Sequence, residues 1–205
     1  MKIVAINGSP RKNGNTARLI EMVLKPLQSA GWETEVIQLG GRPIGGCKAC
    51  YQCFEKKNGL CAFGNDDFNA IFEKLTQADA MLIGSSTYFA DVTSETKALI
   101  DRAGFVAMAN DCLFAGKVGV GLTAVRRGGG VRTVDTINHL FLISQMLVPG
   151  STYWNLGFGF MPGDVESDAM GVANMEHLGK VIDWLATAAR NAPSPYPVRK
   201  EGESA

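Results

Sequence analysis

Five short apolar runs recur along the chain, each followed by a turn-rich segment and then a stretch with helical spacing. The runs are KIVAIN at 2–7, ETEVIQL at 33–39, AMLIGSS at 80–86, KVGVGLTAV at 117–125 and QMLVPGSTYW at 145–154. Most are continuous rather than alternating. A strand wetted on one face alternates apolar and polar residues, whereas a strand covered on both faces does not. The segment NTARLIEMVLKPLQSA at 15–30 carries Ala17, Ile20, Val23, Leu24 and Leu27 on one helical face. Pro26 is expected to kink or shorten that helix. Further helices are expected over 67–78, capped by Asp66 or Asp67, over 94–108, capped by Ser94, over about 131–145, and over 170–191. Alternating strands and helices give an α/β fold, a three-layer doubly wound parallel sheet. Such sheets bind ligands at the carboxyl ends of their strands.

The chain has 205 residues, enough for one domain with a substantial core. A single domain is expected over 1–192, followed by a loose tail over 193–205 that holds three prolines. Twenty Lys and Arg balance twenty Asp and Glu, so the basic excess of a nucleic-acid-binding protein is missing. The opening apolar run is too short for a secretory leader, and no window reaches the length of a membrane span. A cytoplasmic setting is therefore expected, where thiols stay reduced.

Three segments at strand ends carry binding chemistry. GSPRKNGNT, from Gly8 to Thr16, joins the first strand to the first helix. Its glycines allow close backbone approach to an anion. Ser9, Asn13, Asn15 and Thr16 supply donors, Arg11 and Lys12 supply charge, and the helix N-terminus supplies N–H groups. It is neither a Walker A loop nor a G-x-G-x-x-G fingerprint. After the third strand come Ser85, Ser86, Thr87, Tyr88 and Phe89, hydroxyls followed by two aromatic rings suited to a heterocycle. After the fourth come Arg126, Arg127, Gly128, Gly129 and Gly130, which let a flat ligand approach and place two cations beside it. The first segment favours an anion cradle over an ordinary Gly-rich turn. The second alone reads better as a strand exit with two core aromatics, and the third has a flexible loop as its alternative. Together, at successive strand ends, they point to one site.

The set GSPRKNGNT, CKACYQC…C, GSSTYF, VRRGGG and VPGSTYWNLGFG, in this order over roughly 1–190, resembles the flavodoxin-like NAD(P)H-dependent FMN reductase superfamily. Within it, the chain looks most like the iron–sulfur flavoproteins. The resemblance implies a sheet of strand order 2-1-3-4-5 holding FMN. It implies that Ser9, Arg11, Asn15 and Thr16 hold the phosphate. Ser86, Thr87, Tyr88 and Phe89 would line the ring and ribityl chain, and Arg126 to Gly130 would flank the ring's other edge. One departure is GSSTYF, where many relatives have Gly-Ser-Pro. The flavin carries the chemistry, so no catalytic side chain is required. His139 and His177 are read as structural, and Cys112 as a small buried residue.

CKACYQCFEKKNGLC places Cys47, Cys50, Cys53 and Cys61 in a long irregular stretch, Gly40 to Asn65. Loops of that length are usually functional. Consecutive two-residue gaps let one loop present three corners of a [4Fe–4S] cube, with Cys61 as the fourth. Lys48, Lys56 and Lys57 would offset its charge. Structural zinc sites prefer two separated C-x2-C pairs, which this spacing matches poorly. A redox dithiol, or free thiols, stays open as an alternative. The leading expectation is an FMN-dependent oxidoreductase passing electrons from a ferredoxin-like donor through [4Fe–4S] and FMN to a small acceptor, a quinone or an oxygen species. The alternatives are a cluster-free reductase fed by NAD(P)H and a flavodoxin-like carrier. A homodimer or homotetramer is expected.

Overall fold

A computed structural model describes residues 1–199. Among these residues one sheet forms from β1 (Lys2–Asn7), β2 (Glu33–Gln38), β3 (Ala80–Ser86), β4 (Val118–Val125) and β5 (Leu156–Phe158). The strand order is β2-β1-β3-β4-β5 and every pairing is parallel. The sheet is thus flavodoxin-like, as expected. The helices are α1 (Asn15–Ser29), α2 (Gln52–Lys56), α3 (Phe68–Gln77), α4 (Ser94–Ala109), α5 (Gly130–Ile143) and α6 (Ala169–Arg190).

The continuous apolar strands are explained by two cores. Alternate residues of a strand face opposite sides. Val4, Ile6, Met81 and Ile83 pack with Phe68 and Phe72 of α3, Leu99 of α4 and Phe141 of α5. Ile3, Ala5, Leu82 and Leu122 pack with Leu19, Ile20 and Val23 of α1 and with Met175, Leu178 and Ile182 of α6. No helix among the described residues is long and apolar enough to cross a membrane.

Four local expectations are corrected. The fifth strand does not occupy 145–154. Leu147 alone makes a bridge to Val118, and the chain then leaves the sheet at Pro149, which has no N–H to continue a ladder. It returns as β5, where Leu156 pairs with Thr123. Helix α1 runs to Ser29 without stopping at Pro26. It packs on α6 at Gly179, where a Cβ would lie only 2.4 Å from Pro26 Cγ. The cap of α4 is Thr93 rather than Ser94. The Thr93 hydroxyl donates to Gly8 O (2.8 Å), while Ser94 Oγ turns to Glu95. The loop from Gly40 to Asn65 is not wholly irregular, because α2 forms inside it.

Within the tail, Tyr196 packs on Gly116, and Arg199 N–H donates to Gln145 Oε1 (3.0 Å). The rest of the expected loose tail, 200–205, lies outside the described residues.

Candidate functional site

The first turn is built from a short chain of backbone constraints. Gly8 N–H donates to Gly84 O (2.7 Å), which ties the turn after β1 to β3. A Cβ on Gly8 would fall 2.0 Å from Thr96 Oγ1 of α4, so no larger residue fits. Asn7 Oδ1 accepts from Ser9 N–H (3.1 Å), and Ser9 Oγ accepts from Arg11 N–H (3.2 Å). Gly14 stands at the N-cap of α1 and offers no side-chain acceptor. The first N–H groups of α1 are therefore not taken up by a cap, the arrangement that suits an anion.

A cleft of about 190 Å³ opens there, at the carboxyl ends of β1, β3 and β4. Ser9, Arg11, Asn15, Thr16, Ser86, Thr87, Tyr88 and Arg126 line it, eight positions expected from the sequence. Thr16 Oγ1 and Ser86 Oγ face each other across it at 3.4 Å. Thr87 Oγ1 is held by the hydroxyls of Thr123 (3.0 Å) and Thr133 (3.2 Å). Asn13, Phe89, Arg127, Gly128, Gly129 and Gly130 do not line the cleft. Asn13 and Arg127 are exposed, and Phe89 projects fully into solvent from a left-handed backbone (φ 46°). Gly129, at φ 87°, packs against the Phe89–Ala90 turn, where a Cβ would meet Ala90 Cα at 2.8 Å. Gly129 thus braces the neighbouring loop, while Gly130 packs on Leu156 and Val125 and Gly128 faces open space. Ala124, Gly159 and Phe160 line the cleft without having been singled out from the sequence. Phe160 sits under the Arg126 guanidinium, 4.0 Å from its ring centre. The only sequence signal for it was the aromatic-glycine pattern after the fifth strand. A wider cavity of about 990 Å³ lies at the other end of the sheet, beside Lys2, Glu33, Asp79 and Tyr196, and contains none of the expected site residues.

A second cavity gathers Cys47, Cys50, Cys53 and Cys61 with Arg102 and Phe105 of α4. The loop bends into it through Ala49 (φ 49°) and Tyr51 (φ 55°), both left-handed without being glycine. Such strain persists only where the surroundings enforce it, and it concentrates at functional sites. Ala49 N–H points at Cys47 Sγ (3.4 Å). Cys53 and Cys61 are half-buried, and Cys47 and Cys50 are exposed. Burial pushes the Cys53 thiol up, and charge on Cys61 and Cys47 pushes it the same way. Among the described residues no three Cys, His, Asp or Glu side chains are placed to hold a metal ion. The cavity that the four cysteines line is small, about 20 Å³. Cys112 is half-exposed, not buried; its Sγ accepts from Gln145 Nε2 (3.2 Å).

Asp66 and Arg102 were not foreseen as site residues. Arg102 is fully buried and pairs with Asp66 at 2.6 Å. Burial alone would raise the Asp66 carboxyl, but Arg102 and the N–H groups of Gly45 and Phe68 hold it below the usual carboxylate range.

Residues 1–160 match the NADPH-dependent FMN reductase family model. The chain belongs to that family. It is a flavin-dependent oxidoreductase with FMN as its cofactor. An iron–sulfur flavoprotein of Methanocaldococcus jannaschii is 35% identical, over 89% of this chain and 95% of that protein. An iron–sulfur flavoprotein of Archaeoglobus fulgidus is 34% identical, over 93% and 98%. A WrbA-like flavodoxin of Agrobacterium tumefaciens superposes with a TM-score of 0.61 at 16% identity, covering 92% of this chain and 97% of that one. That last likeness concerns the fold.

Proposed function

We propose that this oxidoreductase accepts electrons from a ferredoxin-like donor at the cysteine loop and delivers them at the flavin cleft to a small acceptor, a quinone or an oxygen species. What carries the proposal is the convergence of four cysteines on one cavity beneath a strained loop. The names of the two iron–sulfur flavoproteins support it. The donor chemistry suits an iron–sulfur group: four soft sulfurs line one cavity, with a backbone N–H aimed at one of them.

FMN, when bound, supplies hydride and single-electron transfer at its ring. In this proposal Ser9, Arg11, Asn15 and Thr16 hold its phosphate, helped by the uncapped N-terminus of α1. Asn13, exposed in the same turn, would be a further donor to it. Ser86, Thr87 and Tyr88 line the sugar chain and one ring edge. The cleft is smaller than the roughly 300–1,000 Å³ of drug-sized pockets. The ring system therefore extends beyond it, towards Phe89 on one side and Arg126 to Gly130 on the other. Four thiolates from Cys47, Cys50, Cys53 and Cys61 would hold a [4Fe–4S] group, which supplies one-electron transfer.

Arg102 marks the level of the cysteine cavity, eight residues into α4 and roughly 12 Å along its axis. The helix starts beside Gly8, near the flavin cleft. The cysteine loop holds exposed Cys47 and Cys50 at the surface, and we propose a homodimer or homotetramer in which a neighbouring subunit completes the site. We place the protein in the cytoplasm, where exposed Cys47 and Cys50 stay reduced.

Anaerobic purification followed by iron and sulfide analysis tests this directly. About four of each per chain are expected, as the cube requires. Iron near zero in a protein that retains FMN would sink the cluster. A cluster-free reductase fed by NAD(P)H would then hold, a reading favoured by the description of the matched family. Stopped-flow mixing with NADPH separates the donors, since rapid flavin bleaching contradicts the ferredoxin-fed route. Light scattering at single-chain mass contradicts the oligomer.

A further inference from the structure

A fully buried guanidinium is costly unless its donors are all used. Arg102 is such a group, with no exposed side-chain surface. It sits in the middle of α4 among apolar neighbours, where Leu99, Ala103 and Val106 face the core. Its contacts all lead to one place. Nη1 donates to Asp66 Oδ2 (2.6 Å) and to Gly45 O (3.1 Å). Nη2 donates to Phe63 O. Nε donates to Cys61 Sγ (3.4 Å). The guanidinium lies 4.0 Å from the Phe68 ring centre and 5.1 Å from that of Phe63.

These partners bracket the cysteines. Gly45 is two residues before Cys47, and Phe63 is two residues after Cys61. One cation therefore pins both ends of the loop to α4. An ion pair with Asp66 would satisfy the charge by itself. The fork instead continues to two loop carbonyls and a sulfur, geometry that a lysine ammonium does not reproduce.

We propose that Arg102 is a positioning residue for the cysteine loop, fixing Cys61 and directing an N–H and a permanent positive charge at its sulfur. This rests on the assignment of an iron–sulfur group to the four cysteines. Hydrogen bonds and nearby positive charge at cluster sulfurs favour the more negative, reduced state. Arg102 thus raises the potential of the group its loop holds.

The test uses the holo-protein and two variants. Arg102→Lys keeps a charge against Asp66 but loses the fork. Arg102→Met with Asp66→Asn removes both charges together, which avoids stranding a buried carboxylate. Iron content, FMN content and the midpoint potential of the iron–sulfur group are measured for each. Both variants are expected to keep FMN and fold. The double variant should shift the one-electron equilibrium at least tenfold towards the oxidised form, about 59 mV more negative. Arg102→Lys should shift it in the same direction by less. A double variant that keeps FMN but loses iron, while Arg102→Lys retains iron, also supports the positioning role. Iron-replete variants whose equilibrium stays within twofold of the parent overturn it. An iron-free parent protein refutes the cluster assignment itself, and the Arg102 proposal falls with it.

Discussion

Thr16 offers a clean test of the anion site, because its structural and binding roles can be separated. It is the second residue of α1 and is buried. Its Oγ1 has one side-chain neighbour, Ser86 Oγ, at the long distance of 3.4 Å. Its Cγ2 methyl packs over Gly84, where a Cβ would lie 3.0 Å away. Thr16→Val keeps the methyl and the shape and removes only the hydroxyl. The lost hydroxyl contact is worth at most about 1 kcal/mol. For a chain of this size, that lowers the melting temperature by no more than about 4 °C. Against a phosphate the loss is larger, since a hydrogen bond to a charged group is worth about 1.5–3 kcal/mol. Converted at 1.4 kcal/mol per decade, FMN binding weakens roughly 10- to 150-fold. The assay is quenching of flavin fluorescence on titration with apo-protein, run in parallel with FMN and riboflavin. Riboflavin has no phosphate, so its affinity should stay constant. Equal FMN affinity in parent and variant would refute the reasoning. So would equal losses for FMN and riboflavin, which would place Thr16 at another part of the ligand.

Gly8→Ala should weaken FMN binding and cost about 1–3 kcal/mol of stability, because its Cβ would press on Thr96 Oγ1, itself bonded to Thr93; thermal melts and flavin titration measure both. Asp168 accepts from Gly171 N–H (3.0 Å) at the start of α6 and from Phe158 N–H (2.9 Å) in β5. Asp168→Ala should cost about 1–2 kcal/mol by urea denaturation; an unchanged midpoint would contradict the double role. The pH dependence follows from Asp66. Its folded pKa lies below its unfolded value, so its contribution is complete above the ordinary carboxylate pKa and is lost as pH falls through the lowered one. Melting temperature should therefore drop on acidification below about pH 4, and Asp66→Asn should flatten that part of the curve.

Local pattern was enough for the sheet. Continuous apolar runs such as KIVAIN and AMLIGSS require cover on both faces, and the two cores provide it. The turn Gly8–Thr16 was legible as a turn for the same reason: its backbone constraints lie in nine consecutive residues and the helix they begin. The run 145–154 misled because its apolar pattern is that of a strand. Position in the sheet was instead decided by Pro149, which ends the ladder after a single bridge, and by the pairing of Leu156 with Thr123. The glycines 128–130 read as a ligand wall, but Gly129 is needed where Ala90 comes close, a contact between segments about forty residues apart. Arg102 is the clearest case. By itself it is one charged residue in a helix, indistinguishable from a solvated one. Only the fold carries the loop from Gly45 to Asp66 over α4 and buries the guanidinium against Asp66, Gly45, Phe63 and Cys61. The sequence determined the sheet, the turn that opens α1 and the presence of four thiols in one loop, because these depend on neighbours along the chain. The tertiary structure decided what those thiols face, because desolvation and charge pairing depend on neighbours in space.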